Sequence, residues 1–211
     1  MWGMMNAMRE ESSVDLVYNY IKEQIANSTI FPGNSIVEEE LAQKTGVSRI
    51  SVRGALTRLR YEGYIDGRPN HSARLVSPTK EDMHRIFEVR FTLESAAIRL
   101  AVRNRSKKLC DRLNMLLEEE RNSNTQFSIP EYVRINRQIH FEIINASKNE
   151  YYIKFLNEIY NKCDVYLMFF DKSQSNEASA VTHGKMVKAF IDGDLQGATS
   201  ALAEDMGLVT F

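Results

Sequence analysis

Four side chains between positions 49 and 60 have the types and the spacing needed to bind nucleic acid. They recur at intervals of three and four residues and therefore share one face of a helix: Arg49, Arg53, Thr57 and Arg60. The planar fork of arginine can bind guanine O6 and N7, or a phosphate, through two hydrogen bonds. The pattern indicates either a helix that reads a DNA groove or an ordinary helix with a solvated basic face.

The segments on either side of these residues indicate what positions them. Ser48 is a suitable N-cap, and an apolar stripe follows at helical spacing: Val52, Ala55, Leu56 and Leu59. Gly46 can adopt the positive φ of a tight turn, and a short helix containing Leu41 precedes it. A short helix, a turn and a helix with Ser and Arg in its first turns form the helix-turn-helix arrangement. The second helix of that motif places its N-terminal residues on base edges in the major groove.

This stretch resembles the winged helix-turn-helix of the GntR family of bacterial transcription regulators. The matching residues stay in register over about 30 positions: Pro32-Gly33, Leu41-Ala42, Gly46-Val47-Ser48-Arg49, Val52-Arg53, Ala55-Leu56, Leu59 and Glu62-Gly63. The resemblance implies three helices and a β-hairpin wing over residues 11–77. We expect the following residues to contact DNA: Ser48, Arg49, Ser51, Arg53, Arg58, and Arg68 and His71 of the wing. At the wing tip the family usually has a glycine, and this chain has Ser72.

The overall charge is nearly balanced, with 27 basic and 28 acidic residues, but its distribution is uneven. Between Lys44 and Arg74 there are seven basic residues and two acidic ones, which suits a phosphate backbone. The two cysteines, Cys110 and Cys163, have no metal or redox spacing, and we expect buried free thiols. No signal peptide or membrane span is visible, so we expect a cytoplasmic protein with no membrane partner.

The C-terminal part of the chain is predicted to be an all-helical domain. Ser77-Pro78-Thr79 marks a boundary, and six antiparallel helices are predicted beyond it, with capping residues at Thr79, Ser128 and Asp194. The predicted fold class is therefore mainly α, with a winged helix-turn-helix followed by a six-helix antiparallel bundle. We predict a disordered N-terminal extension at 1–10, a DNA-binding domain at 11–77, and an effector-binding and dimerisation domain at 78–211.

Local patterns in this second domain resemble the FCD domain, the helical effector-binding module of the FadR subfamily of GntR regulators, in its shorter VanR-like variety. They include Glu88-Val89-Arg90, Leu93-Glu94, Asn145-Ala146-Ser147 and Gly193-Asp194. That family often binds a divalent metal through an Asp and three His. The resemblance places those ligands at Asn136, His140, His183 and Asp205, of which two match the family's residue types. Such a set implies Zn²⁺, Ni²⁺ or Mn²⁺ as cofactor, and the alternative is a polar bundle interior without metal.

Arg90 and Glu94 are one helical turn apart and allow two interpretations. They could form an intrahelical ion pair, or Arg90 could bind an effector carboxylate in the bundle with both of its terminal nitrogens. The FCD resemblance favours a small organic acid as the effector.

Three functions are compatible with these patterns. The first is a ligand-responsive DNA-binding regulator, expected to act as a repressor and as a homodimer on a near-palindromic operator. The second is a regulator whose effector is the metal ion itself. The third is a small metal hydrolase using His140, His183 and Asp205, for which the sequence offers no identifiable general base. We expect a regulator and not an enzyme.

Overall fold

The protein is described by a computed structural model, which places residues 12–27, 29–66, 73–170 and 175–208. The chain divides into two compact units, Met1–Val76 and Ser77–Phe211. The predicted extension at 1–10 lies outside the described residues. The wing positions Arg68 and His71 also lie outside them.

The first unit contains three helices and a small antiparallel sheet. The helices are α1 (Ser13–Ala26), α2 (Glu38–Thr45) and α3 (Arg49–Tyr61). The strands are β1 (Ser35–Ile36), β2 (Ile65–Asp66) and β3 (Ala73–Leu75), in the order β1-β3-β2. The three helices and the β2–β3 hairpin confirm the predicted winged helix-turn-helix. β1, which pairs Ser35 with Arg74, was not predicted.

The turn between α2 and α3 follows the residues that the sequence placed there. Gly46 ends α2 with a φ of 69°, a conformation that suits glycine. Ser48 then caps α3, because its Oγ accepts a hydrogen bond from the backbone N–H of Ser51 at 3.2 Å. Behind the exposed face, α3 buries the predicted apolar stripe of Val52, Ala55, Leu56 and Leu59.

The second unit is the predicted six-helix bundle. Its helices are α4 (Lys80–Ala101), α5 (Lys107–Ser123), α6 (Ile129–Ala146), α7 (Glu150–Phe170), α8 (Glu177–Asp192) and α9 (Leu195–Asp205). α4 packs against α6, α7 and α9, while α5 packs against α6 and α8. Residues Val102–Asn104 form a short 3₁₀ turn directly after α4. Within the described residues, no helix combines the length and the apolarity that crossing a membrane would require.

Capping residues define the helix starts in this bundle. Thr79 and Asp82 form a reciprocal capping box at α4, and Asp194 Oδ1 accepts from the backbone N–H of Gly197 at α9. Ser128 occupies the N-cap position of α6 as predicted, but its side chain makes no cap hydrogen bond. Glu131, three residues after Ser128, accepts two hydrogen bonds from Arg134 and so does not complete a capping box.

The bundle core consists of apolar side chains contributed by every helix but α7, with a smaller apolar cluster beside α7. The central group includes Ile98, Leu113, Ile139 and Phe190, all fully buried. Several polar and charged side chains are also buried within this bundle: Arg90, Glu94, Glu120, Asn136, His140 and His183. Burying so many polar groups is costly unless they form hydrogen bonds and ion pairs with one another.

Candidate functional site

The first functional surface is the exposed face of α3. The side chains of Arg49 and Arg53 are 59% and 66% exposed. Arg49 pairs with Glu39 at 3.0 Å and Arg53 pairs with Glu38 at 2.8 Å, both on α2. Ion pairs as exposed as these contribute little to stability, on the order of 0–1 kcal/mol, so a phosphate or a base edge could replace them.

The other predicted DNA contacts in α3 are placed differently. Ser48 and Ser51 lie at the N-terminus of α3, where their hydroxyl oxygens are 3.0 Å apart. Arg58 binds Asp15 at 3.0 Å and Glu62 at 3.1 Å, and its guanidinium lies 3.7 Å from the centre of the Tyr18 ring. Arg58 therefore links α1 to α3.

The second candidate site is a buried polar cluster that brings together side chains of α6, α8 and α9. His140, His183 and Asp205 each direct one potential ligand atom to a common point, and all three atoms lie within 4.8 Å of one another. Nε2 of His140 is 3.2 Å from Nε2 of His183. The Asp205 carboxylate lies 3.5 Å from the first of these nitrogens and 3.4 Å from the second. Both histidines are fully buried.

Two further carboxylates hold the histidine rings. Glu94 on α4 binds Nδ1 of His140, and Glu120 on α5 binds Nδ1 of His183 at 2.8 Å. A carboxylate at Nδ1 fixes that nitrogen as the N–H donor, which leaves Nε2 with its lone pair exposed toward the common point. Two such acceptor nitrogens 3.2 Å apart repel unless a proton, a metal cation or another donor satisfies them, and Arg90 lies 3.0 Å from the His140 nitrogen.

Arg90 is the positive charge of the cluster. Its side chain is 3% exposed; Nε donates to Glu94 at 3.1 Å, and one terminal nitrogen donates to Nε2 of His140 at 3.0 Å. The same terminal nitrogen is 3.8 Å from Asp205. The guanidinium also lies 4.3 Å from the centre of the Tyr160 ring, whose hydroxyl donates to Glu94 at 2.9 Å. The predicted Arg90–Glu94 ion pair is therefore present, within a larger network.

The protonation tendencies follow from this network. Burial alone would raise the pKa of Glu94, but the charges of His140 and Arg90 lower it to about 2. Burial likewise opposes ionisation of Asp205, yet His183 and His140 hold its pKa well below the usual range. Burial disfavours a charged His140, but Glu94 and the bond to Asp205 outweigh burial and Arg90, so its pKa is raised. The cluster therefore keeps Glu94 and Asp205 ionised and favours positive charge beside them.

The donor geometry fits a divalent metal ion. Two ligands of a tetrahedral zinc ion, each at about 2.0–2.1 Å, are separated by about 3.3–3.4 Å, close to the 3.2–3.5 Å measured among these donors. Three carboxylates against one guanidinium also leave two formal negative charges when both imidazoles are neutral. One divalent cation or two protons would balance that charge. Asn136 is buried one turn before His140 in α6.

A surface cleft reaches this cluster. It has a volume of about 230 Å³, and its lining is rich in hydroxyl groups and carboxylates: Tyr132, Ser175, Asn176, Ser179, Thr182, Glu204 and Asp205. Thr182 in its wall donates to Asp205 at 3.1 Å. Asp205 thus belongs both to the buried cluster and to the cleft.

Sequence reasoning missed two members of the cluster. Glu120 occupies the position that continues the buried stripe of Leu113, Leu116 and Leu117 on α5, so a charge in a core position was the available signal. Tyr160 lies among many aromatic residues of α7, and nothing in the local sequence distinguishes it.

Comparisons with known proteins identify both units. The family of bacterial regulatory proteins named gntR matches residues 14–75, and the FCD domain family matches residues 85–207. YdhC of Bacillus subtilis, an uncharacterised HTH-type transcriptional regulator, is 28% identical over 152 residues, or 70% of this chain and 68% of YdhC. The Nta operon transcriptional regulator of Aminobacter aminovorans is 31% identical over 131 residues. That alignment covers 61% of this chain and 60% of that regulator.

Solved structures share the fold. McbR/YncC of E. coli has a TM-score of 0.74 at 22% identity, over 93% of this chain and 94% of that one. A GntR regulator from Rhodococcus sp. RHA1 has a TM-score of 0.71 at 15% identity, over 92% and 93% of the two chains. The relatives are transcriptional regulators and not enzymes, which removes the hydrolase alternative. The chain belongs to the GntR family of bacterial transcription regulators and, through its FCD domain, to the FadR-type subfamily.

Proposed function

We propose that this regulator binds its operator through the N-terminal half of α3 and that ligands of the buried cluster adjust that binding. The observation that carries the proposal is the pair of exposed arginines, Arg49 and Arg53, at the start of a helix whose opposite face is buried. Ser48, Arg49, Ser51 and Arg53 would meet base edges and phosphates, with Arg68 and His71 of the wing alongside. Arg58 would contribute mainly by holding α1 against α3.

One helix-turn-helix contacts only a few base pairs, so a homodimer on a near-palindromic operator is the expected form. A dimer doubles the number of phosphate contacts and fixes the spacing of the two half-sites. Occupying an operator that overlaps a promoter would make the protein a repressor.

For the cluster, we propose one divalent metal ion held by Nε2 of His140, Nε2 of His183 and the carboxylate of Asp205. The convergence of these donors, their fixed orientation by Glu94 and Glu120, and the two uncompensated formal charges support this assignment. Asn136 is the remaining candidate ligand or neighbour. Two imidazoles and a carboxylate suit Zn²⁺, Ni²⁺ or Mn²⁺. When bound, such an ion would supply positive charge and a Lewis-acid centre for an effector oxygen.

The effector we propose is a small carboxylate that enters through the cleft beside Asp205. Arg90 has a terminal nitrogen 3.8 Å from Asp205 and would bind the effector carboxylate through its guanidinium, which Glu94 positions. An alternative effector is the metal ion alone, since the cleft lining named above contains no basic side chain that would attract a free anion.

A direct experiment separates these possibilities. Operators are selected from random duplex DNA with the purified protein, and the affinity is then measured with chelator, with Zn²⁺, Ni²⁺ or Mn²⁺, and with each metal plus a panel of organic acids. A change in affinity that needs both metal and acid supports the carboxylate effector, whereas a change with metal alone identifies a metal sensor. Absence of any selected DNA would contradict the operator-binding proposal.

A further inference from the structure

Ile50 is the most exposed large hydrophobic side chain among the described residues. It is 82% exposed and lies in the first turn of α3, between Arg49 and Ser51. An isoleucine in this place contributes little to the fold, because its branched side chain is a weaker helix former than many polar residues and it buries almost no surface.

Exposure alone does not make a residue functional. Single apolar side chains are common on protein surfaces, and Tyr61 at the other end of α3 is 80% exposed. What distinguishes Ile50 is its position. Ile50, Arg53 and Thr57 are separated by three and four residues, so they share one face of α3, and all three are exposed. This is the face that carries Arg53, away from the buried stripe that includes Val52 and Leu56.

The chemistry of the major groove offers one kind of partner for such a side chain. Base edges in that groove present hydrogen-bond donors and acceptors, and the C5-methyl group of thymine is the apolar feature among them. An aliphatic side chain beside an arginine can therefore distinguish thymine from cytosine while the arginine binds guanine or phosphate.

We propose that Ile50 is a specificity-determining residue that packs against the C5-methyl group of one thymine in each operator half-site. This inference rests on the proposed binding of α3 to operator DNA, and it adds the base that Ile50 recognises.

The test removes the methyl group without changing any hydrogen bond. In the selected operator, each thymine of the half-site is replaced in turn by deoxyuridine, symmetrically in both half-sites. Binding of the full-length protein is measured at constant salt. At one position, the wild-type protein should lose about fourfold in affinity per half-site, which corresponds to the burial of roughly one methyl group. The other thymines should tolerate the replacement.

The variant Ile50→Ala completes a double-mutant cycle. It should bind the thymine operator more weakly and should no longer distinguish thymine from deoxyuridine at the sensitive position. Tyr61→Ala is the matched control, because it removes an equally exposed apolar side chain from the same helix and should keep the full sensitivity of the wild type. Both substituted residues are exposed, and unchanged melting temperatures verify that each variant folds.

The possible failures are distinguishable. If the wild-type protein selects no DNA, the operator-binding function fails and this inference fails with it. If the protein binds a selected operator but tolerates deoxyuridine at every position, or selects a half-site without thymine, only the role of Ile50 is overturned. Sensitivity retained by Ile50→Ala would assign the methyl contact to another residue and would also overturn the inference.

Discussion

Arg90 donates a hydrogen bond over 3.0 Å to Nε2 of His140, the nitrogen that also faces His183 and Asp205. An imidazole nitrogen has one in-plane lone pair, so it cannot accept from a guanidinium and coordinate a metal ion at the same time. Arg90 and the proposed metal ion would therefore compete for His140, both through this lone pair and through the repulsion of their positive charges.

The first prediction concerns this competition. Arg90→Met should raise the affinity for a divalent ion on the order of tenfold or more, because it removes a competing donor and a positive charge within the cluster. The same variant should lose any response to a carboxylate effector. Competition with a chromogenic chelator measures the first effect, and operator affinity in the presence of acids measures the second.

Arg137→Met is the matched control for that substitution. Arg137 also lies near the Tyr160 ring, at 5.8 Å, but it binds Asp164 and Asn157 and not His140. The metal affinity of the Arg137→Met variant should equal that of the wild type. A weaker metal affinity in folded Arg90→Met protein would show that the arginine supports the ion and does not compete with it.

The second prediction concerns the carboxylate behind His183. Glu120→Gln keeps the shape of the side chain but removes the charge that orients the imidazole, and losses of this kind typically lower metal affinity about 10- to 100-fold. Glu119→Gln serves as the control, since Glu119 binds Arg134 on the bundle surface. Isothermal titration with Zn²⁺ compares the two, and equal affinities would argue against a metal at Nε2 of His183.

The third prediction concerns Arg53. Arg53→Ala should weaken operator binding by about 1–3 kcal/mol per contact and, if the contact is to phosphate, reduce the salt dependence of binding. The free energy of unfolding should stay within about 0.5 kcal/mol of the wild type, because only an exposed ion pair with Glu38 is lost. Fluorescence anisotropy over a range of salt concentrations measures the operator affinity and its salt dependence, and urea unfolding measures the stability. Undiminished affinity would remove Arg53 from the interface.

Arg58→Ala should show the opposite pattern. Its guanidinium covers the Tyr18 ring and binds Asp15 and Glu62, so truncation should lower the free energy of unfolding of the first unit by about 1–2 kcal/mol. Urea unfolding followed by circular dichroism measures this change. If stability is preserved while operator affinity falls, Arg58 contacts DNA directly, as its sequence position first indicated.

The fifth prediction separates the two cysteines. Burial raises the pKa of the Cys163 thiol to about 12, so at pH 8 only about one molecule in ten thousand carries the reactive thiolate. Cys110 is only half-buried. A thiol reagent at pH 8 should therefore modify Cys110 first and Cys163 only when the bundle unfolds, as mass spectrometry of the digested protein would reveal. Equal rates for both thiols in the native protein would contradict this order.

Local signals predicted much of this fold. Gly46, Ser48, Thr79 and Asp194 act at helix ends as their types suggest, since a cap depends on residues only three or four positions away. Ser128 shows the limit of such signals, because it occupies the N-cap position without a side-chain cap bond, and Arg134 binds the Glu131 carboxylate that would complete a capping box. β1 was not predicted, because a strand of two residues is too short to show an alternation of apolar and polar side chains.

The buried cluster could be predicted only in part. His140, His183 and Asp205 do converge. However, local sequence patterns do not reveal contacts between residues 43 to 66 positions apart, such as Glu120 with His183 or Tyr160 with Glu94. The position of Arg90 against His140 likewise depends on how α4 packs on α6. These contacts are decided by tertiary packing, which local propensity does not encode.

The capping box of Thr79 and Asp82 has a mechanical consequence. It stiffens the start of α4, the helix that follows the first unit after a few residues and that carries Arg90 about 15 Å further along its axis. If a ligand draws Arg90 away from His140, the strain acts midway along a helix whose N-terminal end is joined covalently to the first unit. The backbone of α4 therefore connects the buried cluster to the first unit by a covalent path, along which a change at Arg90 can be passed on.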